Sequence, residues 1–304
     1  MTAATLLKAA KAPPVTIPCL PDLKALAPHY DGFILDLWGV VHDGIAPIAG
    51  AVDCMRALIR CRKSIALLSN APRRAGDVTR RIAQIGIPAD CYHYVMSSGE
   101  EAWQYLRRRD DPFYAALGSR CLHICSDRDL EIREGLDLEF VDSPESADFI
   151  LNTGPAGWDD TIDDYIPLLR RSLARDLPMV CANPDLVVMH GAKLALCAGA
   201  LAQWYEGESG RVRWHGKPYR SVYDSCLALL GIADRSRILA VGDSLRTDIA
   251  GAAAAGLDSL FVIGGIHGEE FGVVSGRDPD FARIEVALAT GNYHPRGVVR
   301  QLRW

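Results

Sequence analysis

Among the nine cysteines no two form a C-x-x-C pair, which removes the commonest zinc and thiol-redox signatures. Several sit inside apolar runs instead, Cys125, Cys181 and Cys197 among them, and read as small buried hydrophobes in a reducing compartment. The N-terminus lacks the continuous apolar stretch of a signal peptide or spanning helix, since Lys8 and Lys11 lead into Pro13-Pro14. A cytoplasmic location with no membrane partner is therefore expected. Positive charge is not in surplus either. Charged residues make up 23% and the net charge is −5, so nothing calls for nucleic acid. Internal repeats and low-complexity runs are absent as well.

What is present is apolar material in short pieces. Hydrophobic residues make up 49% of 304 positions, ample for one large domain or two unequal ones. Short apolar strands alternate with amphipathic helices, the rhythm of a parallel sheet covered on both faces. Helices are expected over Gly50 to Arg62, with Val52, Met55, Leu58 and Ile59 at helical spacing, and over Ala75 to Ile85, closed by Gly86. Strands Phe33–Leu35, Ile65–Leu68, Ile238–Val241 and Leu260–Ile263 run into Asp36, Ser69-Asn70, Gly242-Asp243 and Gly264-Gly265. In open α/β sheets ligands bind beyond the carboxyl ends of the strands. Asp36, Ser69 and Asp243 would then meet in one crevice if those strands are neighbours.

Roughly 150 residues separate Ser69 from Gly216-Lys217-Pro218, far more than the 30 or so that a βαβ unit takes. Strands at Cys121–Cys125, Phe149–Leu151 and Met179–Cys181 with a helix from Asp163 to Arg175 fill that stretch. The expected organisation is a doubly wound parallel-sheet α/β core over residues 1–100 and 209–304, with a smaller inserted α/β domain over 101–208.

Taken singly, each polar piece has a plain explanation. Ser69-Asn70 suits a loop start or helix cap, Gly-Lys-Pro suits a turn, and Asp243 suits a cap for the helix after Thr247. Their order is more telling. Asp36 after a strand, Ser69-Asn70 after a strand, Lys217 in Gly-Lys-Pro, and Gly242-Asp243-Ser244-Leu245-Arg246-Thr247-Asp248 together resemble the haloacid dehalogenase-like (HAD) hydrolase superfamily. The insert before Gly-Lys-Pro, with Ala182-Asn183-Pro184-Asp185 inside it, resembles class IIA members with a C2-type cap, which include sugar-phosphate, nitrophenyl-phosphate and pyridoxal-phosphate phosphatases.

The resemblance implies a hydrolase of a small phosphorylated metabolite, with Asp36 as nucleophile through an aspartyl-phosphate. It implies Mg2+ held by Asp36, Asp243 and the Trp38 backbone carbonyl, an all-oxygen set suited to a hard cation. Ser69, Asn70 and Lys217 would bind and stabilise the phosphoryl group, and Asp248 would hold a metal-bound water or orient Lys217. Asn183 and Asp185 are the expected substrate contacts from the cap, or else a simple turn after a cap strand. C2-capped relatives are often dimers through the cap, so a homodimer is implied only in that sense. Trp204 and Tyr205 suit either a cap surface or a subunit contact.

One position departs from the pattern. Most phosphatases of the superfamily read Asp-x-Asp, and here the second aspartate, the general acid/base, is Trp38. Indole cannot carry that proton, and a well-placed general acid/base is worth about 10²- to 10⁴-fold. His42 is the nearest titratable substitute, although His42-Asp43-Gly44 equally reads as the turn of a flap hairpin. Two alternatives follow: a phosphate-ligand-binding relative with little turnover, or a metal-independent dehalogenase-type hydrolase, for which Asp243 would be superfluous. His190, His215 and His267 show no metal spacing and read as surface or packing residues.

Overall fold

The computed structural model describes residues 17–190, 193–273 and 277–304; Lys8, Lys11 and Pro13-Pro14 lie outside them. The described residues form thirteen strands in chain order: β1 Gly32–Asp36, β2 Ser64–Ser69, β3 Tyr94–Ser97, β4 Arg120–Ile124, β5 Glu139–Val141, β6 Phe149–Asn152, β7 Met179–Cys181, β8 Val187–His190, β9 Lys193–Leu196, β10 Val212–Trp214, β11 Ile238–Gly242, β12 Asp258–Val262 and β13 Gly297–Val299. They form a six-stranded sheet ordered β13-β12-β11-β1-β2-β3, a five-stranded sheet ordered β10-β7-β6-β4-β5, and the hairpin β8-β9.

The core sheet is parallel throughout, so all its strands end on one side. Its strands are apolar on both faces because both are covered. Along β1, Phe33 and Leu35 join Met55, Leu58 and Ile82 on one side, while Ile34 joins Val222, Tyr223 and Cys226 on the other. The helices that cover it form where the apolar spacing expects them. One spans Ala51–Arg60, entered from Gly50 at φ 86°; another spans Ala75–Ile85 and stops at Gly86, whose φ of 99° suits a residue without Cβ. The doubly wound α/β core is thus as the sequence implied.

The chain leaves the core through the helix Ser98–Arg108, capped by Ser97, whose hydroxyl accepts from the Glu100 N–H at 3.1 Å. The second sheet then builds its own cores around Ile150, Met179 and Tyr205 on one face and Phe149, Leu151 and Val180 on the other. Thr161 and Asp164 form a capping box that opens the helix Ile162–Leu173. Tyr205 belongs to the interior, not to a cap surface or subunit contact: it is fully buried and donates to the Leu177 carbonyl at 2.7 Å. β10 pairs with β7 over Val212–Trp214, so a division at residue 208 would sever the edge strand of the second sheet. No helix among the described residues is long and apolar enough to cross a membrane.

Candidate active site

From β1 the chain proceeds to β2 and β3 in one direction, and from β11 to β12 and β13 in the other. The gap between β1 and β11 is therefore the topological switch point, where a crevice opens at the strand ends. Register fixes what lies there. Leu35 pairs with Val241 and Asp36 with Leu68, which sets Asp243, the first residue past β11, and Ser69, the last residue of β2, on either side of Asp36. A single π turn over Leu245–Ile249 follows Asp243, with the Ile249 N–H reaching the Ser244 carbonyl at 3.1 Å. Such one-turn irregularities are frequent at functional sites, and this one carries Asp248.

Asp36, Asp243 and Asp248 present carboxylate oxygens that all lie within 4.8 Å of one another. Lys217, only 3% exposed, enters from the far end of the insert. Its Nζ donates to Asp36 Oδ1, and to Asp248 Oδ1 at 2.7 Å. The other Asp248 oxygen accepts from the Ser244 N–H at 3.1 Å. Asp243 Oδ2 accepts from the Ile266 N–H at 2.7 Å. Gly39 and Gly265 enclose it so closely that a Cβ at either would overlap the carboxylate.

Three buried carboxylates share one ammonium, and the ionisation of Asp36 and Asp243 reflects the crowding. Burial pushes Asp36 well above the ordinary carboxylate range, Lys217 opposes that, and Asp248 and Asp243 add to it. Asp243 is pushed up to about 7 by burial and then by Asp248. Lys217 is held above its ordinary value despite its burial, because Asp248 and Asp36 favour its charged form. A divalent cation would supply the missing positive charge, and an all-oxygen donor set of this kind fits magnesium or calcium.

The remaining expected residues surround this cluster. Asn70 fastens the Lys217 backbone on both sides, its Oδ1 accepting from the Lys217 N–H at 2.8 Å and its Nδ2 donating to the Lys217 carbonyl at 3.2 Å. The same Nδ2 donates to Asp185 Oδ1 across the cap at 2.9 Å. Burial pushes Asp185 up. Asn183 is used differently: its Oδ1 accepts from the Asp185 N–H at 2.9 Å and forms the turn that aims Asp185 at the core. Ser69 Oγ accepts from the Ala71 N–H at 3.2 Å.

Trp38 is 48% exposed. Its ring lies against Gly44 and meets the His42 ring edge-on, with centroids 5.7 Å apart. His42 is buried in the hairpin turn, where its Nδ1 accepts from the Gly44 N–H at 2.9 Å and burial lowers its basicity. Asp43 closes the same turn through the Ile45 and Ala46 N–H groups. The flap-hairpin alternative accounts for all three residues.

Sequence reasoning placed Gly265 at a strand end but gave neither it nor Gly39 the role of admitting Asp243, and it passed over Tyr223, whose hydroxyl donates to the Asp248 carbonyl at 3.1 Å. Glu101 was also missed. It lies in the helix Ser98–Arg108 and accepts from the Gly216 N–H at 2.9 Å.

Comparison with known proteins gives one consistent result. The model of the haloacid dehalogenase-like hydrolases matches residues 33–139, and a second, HAD-hydrolase-like model matches 214–283. A haloacid dehalogenase-like family hydrolase from Brucella suis 1330 superposes with a TM-score of 0.78 at 33% identity, over 93% of this chain and 99% of that one. Ribonucleotide monophosphatase NagD of Escherichia coli K12 is 26% identical over 77% of this chain and 87% of its own length. A glycerol phosphate phosphatase from Mycobacterium tuberculosis, solved in complex with calcium, aligns at 25% identity and a TM-score of 0.62. That match covers 79% of this chain and 68% of the mycobacterial one.

Proposed function

This chain belongs to the haloacid dehalogenase-like hydrolase family, and on that premise we propose that it hydrolyses phosphate monoesters of small metabolites with magnesium. The observation that carries the reading is the charge balance at the switch point, where Asp36, Asp243 and Asp248 face one ammonium. Such a site is short of positive charge until a cation joins it, and only then does it accept a phosphate dianion. The named activities of the Escherichia coli and Mycobacterium tuberculosis relatives, on a ribonucleotide monophosphate and on glycerol phosphate, support a phosphate ester.

Asp36 attacks phosphorus, the ester P–O bond breaks, and an aspartyl-phosphate stands in its place until water cleaves it. Lys217 offsets the charge of nucleophile and phosphoryl oxygens, and Asp248 orients that ammonium. Ser69 Oγ–H and nearby backbone N–H groups donate to the phosphoryl oxygens. Asp36, Asp243 and the Trp38 carbonyl would hold magnesium, which supplies Lewis-acid charge stabilisation when bound. Asn183 and Asp185 approach the substrate from the cap.

Trp38 stands where most relatives protonate the leaving group, so turnover should favour acidic leaving groups. Aryl phosphates suffer least. A second reading, a phosphate-ligand-binding protein with little turnover, draws on the same indole. Hydrolysis of p-nitrophenyl phosphate with and without magnesium, on the native chain, Asp36→Asn and Trp38→Asp, separates the two. Metal-dependent activity that vanishes with Asp36→Asn supports the hydrolase, and Trp38→Asp should then raise kcat on alkyl phosphates by about 10²-fold or more. Native inertness relieved by Trp38→Asp would favour the binding protein, and activity independent of metal would overturn the magnesium assignment.

A further inference from the structure

Glu101 has none of the usual reasons to be where it is. It is fully buried, in the helix that carries the chain out of the core, beside Glu100, which pairs with Arg74 at 2.7 Å. Among the described residues no arginine or lysine pairs with Glu101. Its Oε2 accepts from the Gly216 N–H at 2.9 Å and lies 3.1 Å from His215 Nδ1, without hydrogen-bond alignment to that ring. Its Oε1 is buried and has no hydrogen-bond partner among the described residues. A buried carboxyl group that leaves one oxygen unsatisfied costs stability, and such groups persist where a task depends on them.

The task is legible from what Glu101 holds. Gly216 precedes Lys217 and adopts φ 90°, a backbone that L side chains resist. A Cβ there would fall 2.7 Å from Ser98 Cβ and 2.8 Å from Asn70 Oδ1, so the segment is wedged between the exit helix and the Asn70 loop. Two carboxyl or amide groups grip it from opposite sides, Glu101 on the Gly216 N–H and Asn70 on the Lys217 N–H. On the outer side His215 is pinned by the Tyr114 hydroxyl at Nε2 and by the Tyr105 ring, with centroids 5.3 Å apart. The long lysine side chain has many rotamers and finds Asp36 and Asp248 only from a fixed starting point.

We infer that Glu101 is a positioning residue for Lys217: by holding the Gly216 N–H it fixes the backbone from which the ammonium reaches Asp36 and Asp248. The geometric part stands without the proposed reaction, and the kinetic part rests on it.

The test uses the full-length protein as Glu101→Leu, which removes the acceptor, and Glu101→Gln, which keeps a carbonyl for the Gly216 N–H. Crystal structures give the first readout. Lys217 Nζ should leave Asp248 in Glu101→Leu and stay in Glu101→Gln; an ammonium still within hydrogen-bond distance of Asp248 in Glu101→Leu would overturn the inference. Binding of inorganic phosphate with magnesium, followed by calorimetry, gives the second. Glu101→Leu should weaken it by roughly 10- to 100-fold, the scale of an ångström-sized misplacement, and should cost nothing further in a Lys217→Ala background. An equal loss in that background would mark a merely structural role.

If Glu101→Leu does not fold, Glu101→Gln decides alone. It should bind phosphate within about threefold of native, and a loss as large as that of Lys217→Ala would refute the backbone grip. A native chain that binds phosphate without hydrolysing esters would sink the hydrolase reading and leave this one standing. Where esters are hydrolysed, Glu101→Leu should lower kcat by the same factor with KM less affected.

Discussion

Asp243 keeps its place by what its neighbours lack. Gly39 and Gly265 leave room for the carboxylate, and the Ile266 N–H fixes one of its oxygens at 2.7 Å. Gly265→Ala adds one methyl group aimed at that oxygen, with no change in charge or chemistry. On the proposed function the magnesium concentration for half-maximal activity should rise by about 10- to 100-fold, the range seen when groups supporting a metal ligand are lost. A magnesium titration of p-nitrophenyl phosphate hydrolysis checks it, and an unchanged midpoint would detach Asp243 from the cation. The charged residues of this site were legible in the sequence because an acid at a strand tip, or a lysine in Gly-Lys-Pro, has a poor account as packing. Glu101 was not, because Glu100-Glu101 near a helix start reads as a solvated pair, and only the fold turns one of the two inward. The contact of Asn70 with Asp185 joins residues far apart in sequence, and no local pattern announces it.

At the scale of elements, the strand β1 does two things at once. Its apolar residues bind the layers on both faces, and its last residue is the proposed nucleophile, so packing error is transmitted to chemistry. Leu35 is fully buried one position before Asp36. Leu35→Ala should cost about 2–5 kcal/mol, as large-to-small core changes do, with a lower urea midpoint and an unchanged urea m-value. A loss under about 1 kcal/mol would mean that the layer between β1 and the helix Ala51–Arg60 collapses onto the gap. Elements of this kind were readable because apolar runs of three or four residues ending in polar ones leave few alternatives to a buried parallel strand. The edge strand β10 was not readable. Val212-Arg213-Trp214 is short, mixed in polarity and half-buried, so its sequence gives neither period, and its membership of the second sheet follows from pairing with β7.

For the molecule as a whole, acid stability depends on buried groups whose ionisation opposes one another. His123 lies on β4 inside the cap, its Nδ1 accepting from Arg133 Nε at 2.9 Å and its Nε2 lying 3.0 Å from Thr153 Oγ1. Burial, and then the charge of Arg133, lower it to about 3 from an ordinary 6.5. Between those values the unfolded chain takes up a proton that the folded chain refuses, so this histidine's contribution is intact above about pH 6.5 and is lost as pH falls. Asp36, raised by burial, acts with the opposite sign, because the folded state then holds the proton more readily. Comparing native protein with His123→Gln cancels every group except the histidine. Urea unfolding from pH 7 to pH 4.5 should show native stability falling more steeply than that of the variant, by up to about 1.4 kcal/mol per pH unit below pH 6.5. Parallel curves would mean that the cap opens locally and lets the imidazole charge before the chain unfolds. Proton uptake at His123 would then report cap opening, and on the proposed function its midpoint would shift when phosphate and magnesium are added, since Asn70 and Asp185 join core and cap at that crevice.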